Sequence, residues 1–445
     1  MTEQLERQTT QFPPATRGEI LAWACYDVAN SAYATVAATA VYNAYFVRTI
    51  AGHIPGKPDS FGTVLLTIVI CVSSLGIVIT APIIGTICDA TGAKKKLLLF
   101  STILCILATA LLFFVGPGQY IASMSLMTIA NIALFTGEDL VAAFLPELAH
   151  KDDMGRISAL GWGAGYIGGL LSLGVCSLYM FWAQKQGMKP VQYVPFVMVL
   201  CAAFFAIAVI PTFMFLKERA VPDPDAAGHN YIAVGFARLK QTIKHARHYR
   251  DLFNFLITLF VYSCGTQTII HMASVYAQKV YSFTPAESNV LILVVIVTAA
   301  IGAGLFGYIQ DRAGSVRTLA GALGVWMMAM AIAAFGTEKW HFWVAGNLVG
   351  LAMGASGSVG RALVAQFSPP GRSGEFLGLW GMSVKLATCV GAMTFGAVTY
   401  LSQNNDRMAV IVTGLFFVVG VLLLFRIDEK RGKLAAAMPI EECIE

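Results

Sequence analysis

The sequence predicts an all-α integral membrane protein whose twelve transmembrane helices form two pseudo-symmetric six-helix bundles. Three observations support this prediction: the composition, the number of long apolar stretches, and a loop pattern that recurs half a chain apart. Hydrophobic residues make up 57% of the 445 residues and charged residues only 12%, whereas an ordinary soluble domain has about 25% charged residues. Lipid is therefore the expected solvent for most of the chain.

The apolar stretches have the length of membrane spans. A helix crosses the hydrocarbon core with about 20 apolar residues. The polar segment 1–18 lacks the short apolar core and small-residue cleavage site of a secretory signal peptide, so we expect the first span to be retained. The twelve stretches are centred near residues 33, 74, 106, 132, 170, 204, 265, 298, 327, 354, 388 and 417.

Basic residues predict the orientation of these spans, because cytoplasmic loops are enriched in Lys and Arg. About 21 basic residues fall in loops on the side of the N-terminus and about 7 on the opposite side. We therefore expect a multi-pass protein of the cell (inner) membrane with both termini in the cytoplasm. The net charge of +5 then reflects contact with anionic membrane lipids, and nucleic acid is not an expected partner.

A loop pattern, G-x-x-x-D-x-x-G, recurs at the same place in each half of the chain. The two copies are 222 residues apart, which indicates duplication of a six-span unit. Glycine permits a tight turn, and an Asp beside a helix end can cap free amides and pair with cations. The pattern residues are Gly85, Asp89 and Gly92 after the second span, and Gly307, Asp311, Arg312 and Gly314 after the eighth.

Both copies resemble the signature loop of the major facilitator superfamily. The resemblance implies that these loop residues take part in gating on the cytoplasmic side, and that the first, fourth, seventh and tenth spans line a central cavity. The first copy departs from the pattern, because Ala93 stands where the family usually has a basic residue. Gating contacts there would fall to Lys94, Lys95 or Lys96.

The repeat divides the chain into five predicted regions. Within the linker between the halves, Ile232, Phe236, Leu239 and Ile243 recur at helical spacing opposite basic residues. This spacing predicts an amphipathic helix on the inner leaflet, and a flexible basic tether is the alternative. The regions are an N-terminal tail (1–18), an N-terminal bundle (19–217), the cytoplasmic linker (218–251), a C-terminal bundle (252–427) and a C-terminal tail (428–445).

The first span contains a Tyr-Asp-x-Ala-Asn-Ser-x-Tyr core, from Tyr26 to Tyr33. This core resembles the vacuolar amino-acid effluxer branch of the superfamily, and the glycine-rich segment 161–169 and the closing segment 428–432 agree with that branch. The resemblance implies amino acids or related zwitterions as the substrate class. Segment 161–169 lacks the ending of a nucleotide-binding loop, and it predicts a tight contact between helices.

Polar side chains inside the predicted spans mark the candidate substrate site, because a charge at the bilayer centre costs about 2.5–3.5 kcal/mol. Arg361 is the candidate for binding a carboxylate, since its fork suits two-point recognition, and Asp27 is the candidate for an ammonium. Glu138 or Asp139 would carry a coupling proton, and their side chains point about 100° apart. The other substrate-binding candidates are Tyr26, Asn30, Tyr33, Gln267, His271 and Lys385.

The repeat offset also sets Asp139 at the position equivalent to Arg361 in the other half. An acid facing a base in this way fits a site for a dipolar substrate. It equally fits a gate, or structural salt bridges that hold the halves shut, and all three interpretations stay open.

These features favour a secondary active transporter that moves a small polar or zwitterionic solute by alternating access, coupled to protons. We expect a small-molecule substrate, protons and lipids as partners, and a monomeric chain. The alternatives are an exporter of another organic metabolite or metal chelate, and a transporter-like sensor that binds its ligand without moving it.

No catalytic nucleophile, metal-binding spacing or nucleotide motif is present, so we expect neither an enzyme nor a cofactor. Eight of the nine cysteines lie within or at the end of predicted spans, and none forms a CxxC pair. We therefore expect neither disulfides nor bound metal.

Overall fold

The computed structural model describes residues 15–52, 54, 58, 61–148, 154–219, 231–367, 373–403 and 405–437. Within these residues every regular element is a helix. Eleven of the described helices are long and apolar enough to cross a membrane. The predicted fold class, an all-α integral membrane protein, is therefore confirmed.

The first predicted span is an interrupted helix and is not among those eleven. It begins as α1, Arg17–Ala32, and continues through a wider π-helical segment, Tyr33–Ala40. A short α-helical turn, Tyr42–Tyr45, then leads into a second π-helical segment, Phe46–Ile50. π-Helical turns often occur at functional sites, and here they follow directly on the polar part of α1.

The other long helices are numbered in chain order, and two shorter helices are named separately. The linker helix is Tyr231–His248 and the C-terminal helix is Glu429–Ala437. The long helices are α2 Phe61–Thr91, α3 Lys94–Leu111, α4 Tyr120–Ala142, α5 Met154–Lys185, α6 Pro190–Ala208, α7 Arg250–Val280, α8 Pro285–Ala313, α9 Ser315–Phe335, α10 Lys339–Phe367, α11 Ser373–Leu401 and α12 Asp406–Leu424.

Local sequence signals fix several helix ends. α8 begins with a capping box, in which the backbone N–H of Thr284 donates to Oε2 of Glu287 at 2.7 Å and the backbone N–H of Glu287 donates to Oγ1 of Thr284 at 3.2 Å. Gly314 separates α8 from α9 with a φ of 85°, and Gly92 separates α2 from α3 with a φ of 59°. Glycine adopts such angles without strain, and both turns therefore favour the second glycine of the predicted loop pattern.

The helices pack into two units that do not coincide with the two halves of the chain. Unit 1 contains the residues up to Ala38 together with Ile79–Gly116 and Ile121–Phe236. Unit 2 contains Thr39–Val78, Pro117–Tyr120 and Ala237–Glu445. The end of the first span and the beginning of α2 therefore pack with the C-terminal half. The predicted region boundaries follow the sequence repeat, and they stay predictions.

In unit 1, α5 packs closely on α1 through its glycine-rich segment. A Cβ at Gly168 would collide with the backbone of Val28, and a Cβ at Gly165 would lie 3.1 Å from Oγ of Ser31. The tight helix contact predicted for segment 161–169 is confirmed, because only glycine allows the two backbones to approach this closely.

In unit 2, aromatic packing and close glycine contacts hold the helices together. The rings of Trp326 in α9 and Phe417 in α12 stack with centroids 5.0 Å apart, and Nε1 of Trp326 donates to Oγ of Ser356 in α10 at 3.3 Å. Gly302 in α8 lies against the backbone of Leu351 in α10. These contacts bury Trp326 completely.

The linker helix carries an apolar stripe. Ile232, Phe236 and Ile243 are exposed along one side, and Lys240 and Lys244 are exposed as well. Residues 220–230 of the predicted linker lie outside the described residues. Contact of this helix with the inner leaflet stays a prediction.

Candidate functional site

Two of the predicted residues of the first span, Asn30 and Tyr33, form hydrogen bonds to α4 within unit 1. Nδ2 of Asn30 donates to Oε1 of Glu138 at 3.2 Å, and the hydroxyl of Tyr33 donates to Oδ1 of Asn131 at 3.1 Å. Asn30 is only 4% exposed, and its Oδ1 accepts no hydrogen bond from a described residue. Glu138 is half-buried. The carboxyl group of Glu138, which lies inside a span, therefore has the amide group of Asn30 beside it as a hydrogen-bond donor.

Trp23 and Tyr26 extend the α1–α4 contact on either side of these bonds. Nε1 of Trp23 donates to the carbonyl of Val141 at 2.8 Å. Tyr26 is fully buried, its hydroxyl lies 3.4 Å from the hydroxyl of Thr102 in α3, and a Cβ at Gly137 would collide with it. Tyr26 therefore packs among helices of unit 1, and its predicted contact with substrate stays a prediction.

The two neighbouring acids of α4 have different surroundings, as the helical geometry predicted. Glu138 is half-buried beside Asn30, whereas Asp139 is exposed. Asp27 lies against α5, because a Cβ at Gly161 would be 2.5 Å from Oδ2 of Asp27. The side chain of Asp27 is half-buried. Unit 1 thus brings three of the predicted residues, Asp27, Asn30 and Glu138, to the contacts of α1 with α4 and α5.

The predicted residues of the C-terminal half belong to unit 2. The guanidinium carbon of Arg361 in α10 lies 5.3 Å from the centre of the Trp380 ring in α11. This is within the range of a cation–π contact, and the ring holds one face of the guanidinium plane. The remaining predicted residues, Gln267, His271 and Lys385, are half-buried.

Trp380 is a residue that the sequence prediction did not assign to the site. Its signal was an aromatic residue in the predicted span that follows Arg361. The sequence alone does not show which of several tryptophans lies against the arginine, since that choice depends on the packing of α10 on α11.

At one end of unit 2, the end of the first span and the start of α2 form hydrogen bonds with α7. Oγ of Ser274 in α7 donates to the carbonyl of Ala40 at 2.6 Å, and Nδ2 of Asn43 donates to the carbonyl of His271 at 3.3 Å. Nζ of Lys279 donates to Oγ1 of Thr63 at the start of α2, at 3.0 Å. We call this region, where the segment Thr39–Val78 meets α7 and α11, the distal seam.

The distal seam also corrects the prediction about cysteines. Cys71 in α2 and Cys389 in α11 are joined by a disulfide, with their Cα atoms 4.0 Å apart. The prediction of no disulfides was wrong because it considered spacing along the chain, whereas this pair is 318 residues apart and is formed by helix packing.

The predicted gating loops are described in part. Arg312 lies over the ring of Tyr308, 4.3 Å from its centre. A Cβ at Gly85 or at Gly307 would meet no other atom within 4 Å, so the first glycine of each pattern makes no close helix contact here. The side chains of Asp89 and Asp311 lie outside the described residues, and their gating roles stay predictions.

Two arginine clasps near the starts of α1 and α7 were not predicted. In unit 1, Nη2 of Arg219 donates to Glu19 at 2.8 Å and the backbone N–H of Arg219 donates to Glu147 at 3.0 Å. In unit 2, Nε of Arg431 donates to Asp251 at 2.6 Å. Each clasp ties the chain that follows a sixth helix to the start of the first helix of its own half.

The sequence matches a known family over almost its whole length. The family is described as vacuole effluxer Atg22 like, and the match covers residues 15–437. YxiO of Bacillus subtilis (strain 168), named as an MFS-type transporter, is 27% identical over 415 residues, which cover 92% of this chain and 94% of that protein.

A fungal relative and a solved structure agree with this match. Autophagy-related protein 22 of Yarrowia lipolytica (strain CLIB 122 / E 150) is 24% identical over 351 residues, or 72% of this chain and 58% of that protein. The chain thus spans little more than half the length of that relative. The crystal structure of a D-xylose-proton symporter superposes with a TM-score of 0.73 at 14% identity, over 94% of this chain and 99% of that chain.

The superposition on the solved structure shows a shared fold and no more, because the sequence identity is low. The family match, in contrast, covers far more than half of the chain. The protein is therefore a multi-pass membrane transporter of the major facilitator type and belongs to the vacuole effluxer Atg22-like family, whose members are transporters rather than enzymes.

Proposed function

We propose that the protein is a proton-coupled carrier of a small polar or zwitterionic solute, an amino acid or a related metabolite. It works by alternating access in the cell membrane, with both termini in the cytoplasm. The family description as a vacuole effluxer supports export of a solute from one compartment to another, and the basic residues of the loops support the orientation.

The pairing of Glu138 with Asn30 is the observation that carries the proposal. A carboxyl group inside a span is costly, and such groups usually mark substrate or proton pathways. Here the carboxyl group has an amide donor at 3.2 Å, and the other atom of that amide, Oδ1, is buried without a partner among the described residues. The amide can donate to the charged carboxylate. After a flip it can accept from the protonated acid.

The roles of the charged groups follow from their chemistry. Arg361 recognises the carboxylate of the solute, because a guanidinium offers two parallel N–H donors. Asp27 attracts the ammonium group, and Glu138 holds the coupling proton, with Asp139 as the other candidate. The cation–π contact with Trp380 supports the role of Arg361, since it fixes the plane of the fork.

The test is uptake of labelled amino acids by proteoliposomes, with and without a pH gradient. We expect uptake that a pH gradient drives above equilibrium in the wild type. Glu138→Gln keeps the hydrogen bond to Asn30 but cannot titrate, so it should lose gradient-driven accumulation while retaining exchange of solute. The control is Glu338→Gln, because Glu338 is exposed at the start of α10, and this variant should accumulate solute like the wild type.

Three outcomes contradict different parts of the proposal. Gradient-driven accumulation by Glu138→Gln would remove the proton role from that residue. Failure of every amino acid both to stabilise the protein and to be transported would remove the substrate class. Stabilisation by a ligand without any flux would favour a transporter-like sensor over a carrier.

A further inference from the structure

The disulfide of the distal seam has no role in the proposed transport, yet it joins two helices of one unit deep within their spans. Cys71 lies in α2 and Cys389 in α11, and both helices belong to the membrane-spanning set. Cys389 is buried and Cys71 half-buried. A covalent bond at this place fixes the distance between α2 and α11.

The helices around the disulfide are in direct contact. A Cβ at Gly396, about two turns further along α11, would collide with the side chain of Thr67 in α2. Thr67 is fully buried, so the contact excludes solvent. The two helices therefore touch at Thr67 as well as at Cys71, two places about one turn apart on α2.

The polar contacts of the seam are hydrogen bonds. They include Ser274 with Ala40 and Lys279 with Thr63. Each bond of this kind contributes about 1 kcal/mol net, so thermal motion breaks and reforms it. The disulfide is the one covalent tie among the described contacts of this seam, and it does not open without a reductant.

We propose that Cys71 and Cys389 form a redox lock on the distal seam. With the disulfide formed, α2 stays against α11 and this end of unit 2 stays closed. With both thiols free, the seam can open. The inference rests on the proposed alternating access, which requires each end of the transport path to open in turn.

The lock closes and opens by thiol–disulfide exchange. One cysteine thiolate attacks an apolar small-molecule disulfide and expels one thiol, and the second cysteine attacks the mixed disulfide and expels the other. The protons of the two cysteines leave on the expelled thiols, so the exchange is balanced. Because the pair lies within apolar spans, only a membrane-permeant disulfide or dithiol reaches it.

The first test asks whether the bond forms and can be switched. The full-length protein in nanodiscs is treated with a dipyridyl disulfide or with dithiothreitol, then alkylated and digested without reductant. Mass spectrometry should find the peptide pair joined through Cys71 and Cys389 after oxidation and lose it after reduction. Absence of the joined pair after oxidation would overturn the proposal.

The second test measures opening without any substrate. Hydrogen–deuterium exchange in residues 39–50 and 271–281 should rise at least about tenfold on reduction, because these segments form the seam. In the variants Cys71→Ser and Cys389→Ser, these segments should exchange fast both with and without reductant. Cys176→Ser is the matched control, since Cys176 is a buried free cysteine of α5 in unit 1, and it should behave like the wild type.

Exchange that is equally slow in oxidised and reduced wild type would show that the bond does not hold the seam, and would overturn the lock. If a serine variant fails to fold, Cys71→Ala and Cys389→Ala replace it. Solute uptake is measured on the wild-type protein in liposomes, oxidised and reduced in the same way, and should stop on oxidation. Redox-dependent exchange without any uptake would keep the lock and contradict the proposed carrier function instead.

Discussion

Nη2 of Arg219 donates to both carboxylate oxygens of Glu19, at 2.8 and 2.9 Å. The side chains are 11% and 6% exposed, so the pair is shielded from water. Arg431 makes the equivalent pair with Asp251 in unit 2, but its side chain is 50% exposed. An acid near the start of each half is thus bound by an arginine from beyond the sixth helix, and this arginine is shielded in unit 1 and half exposed in unit 2.

We expect Arg219→Ala to destabilise the protein by about 3 kcal/mol, because removing one partner of a buried ion pair leaves the other charge unpaired. The midpoint of unfolding in detergent measures the effect. Glu19→Gln combined with Arg219→Ala removes the remaining charge and should recover part of the loss. An unchanged midpoint for the single variant would show that solvent replaces Arg219 at no cost.

The C-terminal helix gives a pH-dependent contribution to stability. Burial alone would raise the pKa of Glu429, but hydrogen bonds from Lys433 and from the backbone N–H groups of Val316 and Ser315 outweigh it, and the pKa is lowered from its ordinary value of 4.5. A carboxyl group with a lowered pKa in the folded state stabilises the fold above its ordinary pKa and loses this contribution as the pH falls below it.

We therefore expect the melting temperature of the wild type to fall more steeply than that of Glu429→Gln as the pH is lowered below about 4.5. At pH 7 the variant should melt lower than the wild type, because it cannot accept the same bonds as a carboxylate. Parallel melting curves over this pH range would mean that Glu429 contributes no titrating interaction to the fold.

Periodicity and repetition predicted most of the fold. The apolar stretches gave the spans, and the second glycines of the two loops, Gly92 and Gly314, have the positive φ that a tight turn requires. The interruption of the first span was not predicted, because no Gly or Pro between Tyr33 and Ile50 marks a break in the helix. The π-helical turns there depend on packing against other helices.

The candidate site was predicted in part. Asn30 and Glu138 are hydrogen-bonded, and the cost of polar groups in lipid had marked both residues. The arginine clasps were missed because Arg219 and Arg431 were counted only as loop charges. Both halves have an acid near the start of the first helix and an arginine after the sixth, but these residues do not keep the 222-residue repeat offset, so aligning the repeats does not pair them. The disulfide joins residues 318 apart, so no local pattern shows it.

The contact of α5 with α1 makes a matched pair of predictions. Gly168→Ala should destabilise the protein by about 1–3 kcal/mol, because its Cβ would collide with the backbone of Val28, which cannot move aside without shifting α1. Gly163→Ala is the control, since a Cβ there meets no atom within 4 Å, and alanine favours the helix by about 1 kcal/mol. Opposite shifts of the two unfolding midpoints are the expected result. Equal midpoints would show that α1 moves freely away from α5.

Trp380 should act on substrate binding through Arg361. Trp380→Leu removes the ring face, and a cation–π contact contributes about 0.5–2 kcal/mol, so affinity for a carboxylate-bearing ligand should fall by roughly 2- to 30-fold. Trp380→Phe keeps a ring and should lose less. Kd is measured by calorimetry for an amino acid that stabilises the wild type and for its amide, which lacks the carboxylate.

The amide is the informative ligand, because it cannot form a two-point contact with Arg361. Its Kd should be nearly the same in the wild type and in Trp380→Leu, and only the amino acid should bind more weakly. Trp340→Leu is the control, since Trp340 is 61% exposed on α10 in the same unit. An equal loss for the amino acid and its amide would mean that Trp380 supports the helix packing and does not position the guanidinium.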